Sequence, residues 1–369
     1  MIPDESASKV PKLIRSILVS LILLPEMQPV CAAQALQQVL NEPYFDASDI
    51  EAVRAGGFGV AKVHEASDRE IAVVIACRVK VAPEQALAPF LGDSLPVDPK
   101  ILRDQRLIDT NLHETSFAAI SLARERDEIQ HYLDARPGIG LNLSTDEIAA
   151  FRALKGENDP ARVEALLDDM LRARFASYRE QGLAGAQPYA RDKGDQVSPG
   201  EELRKTEENM QGLHELYPEF HSAWLSYPRS LPTDIVADDF FWLKLDIEDR
   251  PVFVLSHRLV AESEDMHLVG IRDYYVSHFF DVSQRAAVVT RLDSGEHVLI
   301  YIERAWVDYW SGFASLSKKI GRKVMETQME HLLEDHGICG GCAWRPAIPH
   351  SGAVSLRGSS RSMNGGSTN

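Results

Sequence analysis

The chain has 369 residues, 44% of them hydrophobic, and a formal net charge of −16 at neutral pH. That much apolar sequence buries a sizeable core in one large domain or two smaller ones, which excludes a chain disordered throughout. So acidic a protein repels a phosphate backbone and anionic lipid, and no basic stripe interleaved with aromatics offsets this; nucleic acid is excluded as a partner, and a neutral or apolar lipid stays open.

At the start, Lys9, Lys12 and Arg15 precede the apolar run Ile17–Leu24, then Pro25 and the small-residue step Ala33-Gln34-Ala35. This is the order of a secretory signal peptide over 1–35, and its apolar run is too short for a spanning helix. The mature protein is expected to begin near Leu36, in the periplasm or outside the cell, with no stable membrane span. Cys31 leaves with the leader, and the residues before it lack a lipoprotein cleavage box.

Asp46 and Asp49 then cap a short helix through Ile50, Val53 and Arg54 that stops at Gly56-Gly57. Phe58–Glu65 and Glu70–Val81 read as a hairpin around Ser67-Asp68, with Cys77 a small buried hydrophobe. Ala82-Pro83-Glu84, followed by Ala86, Leu87 and Phe90, predicts a helix at once. Residues 93–237 read as mostly helix or loop. Ser144 to Glu147 has capping-box spacing, Val163, Leu166, Leu167, Met170, Leu171 and Phe175 recur at helical spacing, and Ser198-Pro199-Gly200-Glu201 opens another helix. Five strand runs follow: Phe240–Ile247, Pro251–Ala261, His267–Val282, Ala286–Leu292 and His297–Trp310. Their short turns predict an antiparallel meander. Leu316 to Leu333 carries an apolar stripe and predicts a long terminal helix, and 336–369, rich in Gly, Ser, Arg and Pro, reads as a disordered tail. The expected fold is α+β. N-terminal elements (36–92) and a later sheet with its C-terminal helix (238–335) share an antiparallel sheet of about seven strands, interrupted by a large helical insertion (93–237).

The Val79–Leu91 strand-to-helix step through Ala-Pro-Glu, the curved meander and the terminal helix together resemble the START-like helix-grip superfamily. The resemblance covers roughly residues 58–92 and 238–334 and implies a terminal helix closing a cavity that holds a lipid, sterol, polyketide or other apolar molecule. The insertion departs from the simple pattern. Arg136-Pro137-Gly138, the Tyr274–Phe280 stretch, and Glu303-Arg304 with Asp308 also resemble a group of uncharacterised secreted bacterial proteins. Relatives in that group carry cysteines where Ala135 and Gly140 stand, so no disulfide is expected at that corner.

Several residues are candidates for chemistry. His257 lies among Phe253, Leu255 and Leu259 on one face of its strand, as a satisfied core histidine or as a polar contact or general base. With period two, Tyr274, Val276, His278 and Phe280 form one face of the next run and Tyr275, Ser277, Phe279 and Asp281 the other, as sheet packing or a pocket wall. Arg304 and Asp308 share a side of the last strand, as a buried pair or with the arginine aimed at an anionic head group. Cys339-Gly340-Gly341-Cys342 with His331 and His336 has metal-ligand spacing but reads first as incidental thiols or a short disulfide. No nucleophile elbow, Walker loop or dinucleotide fingerprint occurs, and no metal or cofactor is expected.

The leading functional expectation is a soluble periplasmic or secreted protein that binds an apolar small molecule or lipid between sheet and terminal helix, through His257, Tyr275, His278, Arg304 and Asp308. The alternatives are a cyclase-type or hydrolase-type enzyme on the same scaffold, with His257 or His278 as base, and a non-catalytic cell-envelope interaction protein.

Overall fold

A computed structural model of the chain describes residues 39–40, 45–61, 63–109, 117, 120–122, 126–138, 140–156, 159–229, 231–307 and 314–339. The expected signal peptide, Asp308, Cys342 and the expected tail beyond 339 lie outside the described residues.

A reciprocal capping box between Asp46 and Asp49 starts α1 (Ala47–Arg54). The hairpin pairs β1 (Phe58–Ala61) with β2 (Glu70–Val79), and Pro83 begins α2 (Pro83–Leu91), which buries Ala86, Leu87 and Phe90. After β3 (Leu102–Leu107) come α3 (Arg126–Leu133), α4 (Thr145–Ala153) and the 22-residue α5 (Pro160–Gln181). A small ribbon, β4 (Tyr189–Ala190) with β5 (Gln196–Val197), precedes α6 (Pro199–Glu208), α7 (Gln211–Leu216) and α8 (Pro218–Ser226). The meander is β6 (Ile235–Ile247), β7 (Arg250–Glu262), β8 (Met266–Val276), β9 (Phe280–Arg291) and β10 (His297–Val307), and α9 (Ala314–Asp335) follows it.

The result is an α+β fold around one antiparallel sheet of eight strands, ordered β1-β2-β10-β9-β8-β7-β6-β3. Alternation sends its side chains to two cores. On one face Val73, Ile75, Phe241, Val254, Ile271 and Leu299 pack with Leu87 and Phe90 of α2 and Met329 and Leu333 of α9. On the other, the insertion supplies Leu167, Phe175 and Tyr178 against Phe240, Trp242 and Leu255, and Met210, Phe220 and Trp224 join the helix α1 side chains against Val74, Leu259 and Ile300. Gly270 permits this second packing, because a Cβ there would sit 2.7 Å from the Phe220 ring. Among the described residues no helix is long and apolar enough to cross a membrane.

Three local expectations are corrected. The eighth strand, β3, falls in the stretch read as helix or loop. Its sequence Leu-Arg-Asp-Gln-Arg-Leu lacks apolar alternation because it is an edge strand paired only with β6 and held by polar contacts, Arg103 to Asp246 and Gln105 to the Leu95 amide. Second, a register shift between Leu255 and Ser256 places a bulge at Tyr274-Tyr275, so both tyrosines enter the same core rather than opposite faces. Third, residues 336–339 belong to the fold. Ile338 is fully buried, its carbonyl accepts from the Lys80 amide at 3.2 Å, and Cys339 forms a disulfide with Cys77 across Cα atoms 5.9 Å apart. Cys77 is therefore a bonded cysteine, not a free hydrophobe, and Cys339 is neither an incidental thiol, nor half of a short disulfide with Cys342, nor a metal ligand.

Candidate functional site

Register builds a polar cluster into the apolar wall that faces α2 and α9. Ser256, Asp273 and Ser283 are directly opposite one another on β7, β8 and β9, and the next rung on that face pairs Arg285 with Glu303. Both serine hydroxyls donate to Asp273, the Ser256 bond being 2.5 Å. Arg285 Nη2 donates to both Asp273 oxygens at 3.3 Å and Nη1 reaches the Pro96 carbonyl at 3.5 Å, while Nε is buried without a hydrogen-bond partner among the described residues. Tyr301, two residues before Glu303 and in contact with the Phe90 ring, hydrogen-bonds the Glu303 carboxyl. Arg258 on the same face grips the end of α2 through the Phe90 and Gly92 carbonyls and pairs with Asp239.

The electrostatics of this cluster are uneven. Burial raises the Glu303 pKa and the Asp273 charge adds to it, against the opposing pull of Arg285 and the Tyr301 bond, so Glu303 is biased toward its neutral acid. Burial works against the Arg285 charge, but the Asp273 carboxylate beside it outweighs this and holds the guanidinium cationic. Asp273 already balances that charge. What remains is one hydrogen-bond donor, Arg285 Nε, and one polarised acid in an apolar setting, which suits a neutral acceptor group on an otherwise apolar molecule.

Of the residues singled out from sequence, His257, Tyr275 and Arg304 lie on the opposite face, and His278 lies in the turn between β8 and β9. The His257 ring stacks on Phe240 at 4.5 Å and touches Tyr227 and Trp224. Burial lowers its pKa, and the neutral ring fits its neighbours: Nε2 donates to Asp238 at 2.8 Å and Nδ1 accepts from the Tyr178 hydroxyl at 3.1 Å, which Arg272 in turn contacts. Tyr275 lies beneath the Arg174 guanidinium, 4.4 Å from its ring centroid, and Arg174 is paired with Glu147. Arg304 bonds Glu70 at 2.8 Å and the carbonyls of His64 and Asn209. Its expected companion Asp308 lies outside the described residues.

His278 accepts from the Ser277 hydroxyl at 2.9 Å, and burial, with Arg250 and His131 nearby, pushes its pKa down to about 3. A histidine that is harder to protonate when folded leaves the unfolded chain binding more protons below its ordinary pKa, so its contribution to stability is complete above ~6.5 and falls by ~1.4 kcal/mol per pH unit below that. His278→Gln should therefore flatten the acid limb of stability between pH 6.5 and 4, measured by urea melts of both proteins. A wild-type-minus-variant difference that does not change over that range would refute the assignment.

Comparison with protein-family models, with curated proteins and with solved structures returns no match. The site must therefore be argued from its own geometry. The cluster of Ser256, Asp273, Ser283, Arg285 and Glu303 was available to sequence reasoning through one signal, charged and hydroxyl residues at core parity inside apolar strands. Asp273 in the run His267–Val282 is the plainest instance. Strand register, which brings those residues together, was not available.

Proposed function

We propose that this protein binds an apolar small molecule or lipid bearing a neutral hydrogen-bond acceptor, on the sheet face covered by α2 and the C-terminal helix α9, in the periplasm or outside the cell. The observation that carries the reading is the buried, unmatched Arg285 Nε set in the wall formed by Ile271, Leu299 and Tyr301 beside Phe90 of α2. The element order supports it too: α9 follows the last strand and packs on the sheet, and a terminal helix closing over the sheet is what the helix-grip resemblance implies. Desolvating the apolar part of the ligand supplies affinity at ~25 cal/mol per Å², and the single donor orients it. An anionic head is disfavoured because Asp273 already occupies the guanidinium.

Arg285→Gln tests this. Asp273 loses its cation but keeps both serine hydroxyls, so the variant is expected to be less stable and still fold, as a urea melt checks first, and its affinity for a fluorescent monoacylglycerol should fall ~10–100-fold relative to wild type, the loss of one charge-assisted bond. Equal binding by both proteins, or no saturable binding by wild type, would count against the site.

A further inference from the structure

A second cluster lies on the insertion side of the sheet, where the helices α6, α7 and α8 meet. Glu207 in the last turn of α6, His214 in α7 and His221 in α8 bring one ligand atom each to within 4.8 Å of one another. Glu207 Oε1 is 2.7 Å from His221 Nδ1 and 3.9 Å from His214 Nε2, and the two imidazole centroids are 3.3 Å apart. His214 Nε2 also contacts the Glu207 backbone carbonyl. From these contacts we propose that Glu207, His214 and His221 form a binding site for a divalent transition-metal ion of the zinc type.

Three observations carry it. The donor set is two imidazoles and one carboxylate, which suits zinc and its neighbours far better than calcium or magnesium, and donors bound at ~2.1 Å around a tetrahedral ion stand ~3.4 Å apart, within the spread seen here. Next, Glu207 is fully buried, and among the described residues its ion-pair partners are these two histidines alone, so a buried carboxylate depends on a cation arriving at the imidazoles. Finally, the carboxylate is already oriented from behind. Gln284 donates to Glu207 Oε2 and accepts from Arg272 Nε at 2.9 Å, the outer-shell support that ligating carboxylates need. The asymmetry of exposure fits entry from solvent, with the histidines about 20% exposed and the glutamate 0%.

The test uses untagged full-length protein stripped with a chelator and titrated with Co(II), then Zn(II). One Co(II) per chain with visible d–d absorption is expected, displaced by Zn(II), and Zn(II) should raise the melting temperature. His214→Ala and His221→Ala should each weaken Zn(II) binding at least ~100-fold and Gln284→Ala ~10–100-fold, while the His331→Ala, His336→Ala double variant should bind as wild type. If the histidine variants do not fold, the wild-type Co(II) titration decides alone. No stoichiometric Co(II) uptake, or uptake retained when both histidines are replaced, would overturn the site and leave a hydrogen-bonded tie between helices.

Discussion

Arg304→Ala is expected to destabilise the protein by ~3–5 kcal/mol, because it strands a buried carboxylate. Arg304 and Glu70 have side chains 1% and 0% exposed and are bonded at 2.8 Å. The same guanidinium satisfies the His64 and Asn209 carbonyls, each at 3.1 Å. Removing it leaves the Glu70 carboxyl in a low-dielectric interior without its cation, held by the Ala66 amide. Glu70→Leu combined with Arg304→Met should recover much of the loss, since a well-packed apolar pair can replace a buried ion pair. Urea melts of the three proteins measure this. A loss below ~1 kcal/mol in Arg304→Ala would mean that the side chain is not the tie described.

Truncation after Asp335 should be nearly as costly. The segment that follows closes against β2: Ile338 enters the core beside Leu333, Cys339 bridges to Val79, and its sulfur joins Cys77 at a sequence separation of 262. A cross-link closing so long a loop constrains the unfolded chain strongly, so Cys339→Ser alone is expected to cost ~2–4 kcal/mol under oxidising conditions, and the truncation more. Reductant should lower the wild-type midpoint toward that of Cys339→Ser and leave the variant unmoved. Wild-type stability indifferent to reductant, together with a truncated chain as stable as the whole, would show that the fold ends with α9.

What was legible in the sequence follows which faces of each element are buried. Strands β6 to β10 announce themselves because both sheet faces are buried and their runs are apolar, β-branched and separated by short turns. Strand β3 does not, since an edge strand made of Arg, Asp and Gln has no burial pattern to read. Parity failed at Tyr274-Tyr275 for a similar reason: a bulge moves one residue across the sheet, and no composition rule marks it.

The polar residues follow the same logic. His257, Tyr275, His278 and Arg304 stand out by type, and each is buried, but pairing partners such as Glu70, Tyr178, Arg174 and Asp238 are set by tertiary contacts up to 234 residues away in sequence. Conversely, Glu207, His214 and His221 recur at seven-residue intervals across three short helices, a spacing that acquires meaning only when the turns at Met210 and Tyr217 fold those helices together. Arg285 and Glu303 become neighbours only through the β9–β10 register.

The central claim is that the sheet face covered by α2 and α9 holds an apolar ligand oriented by Arg285. Native mass spectrometry of the full-length protein, purified without detergent from the cells that make it, addresses this most directly. The account predicts a bound species of lipid or other apolar character at one per chain, released on denaturation and absent from Arg285→Gln prepared identically. Wild-type protein that carries nothing, or Arg285→Gln that carries the same species at the same occupancy, would contradict it.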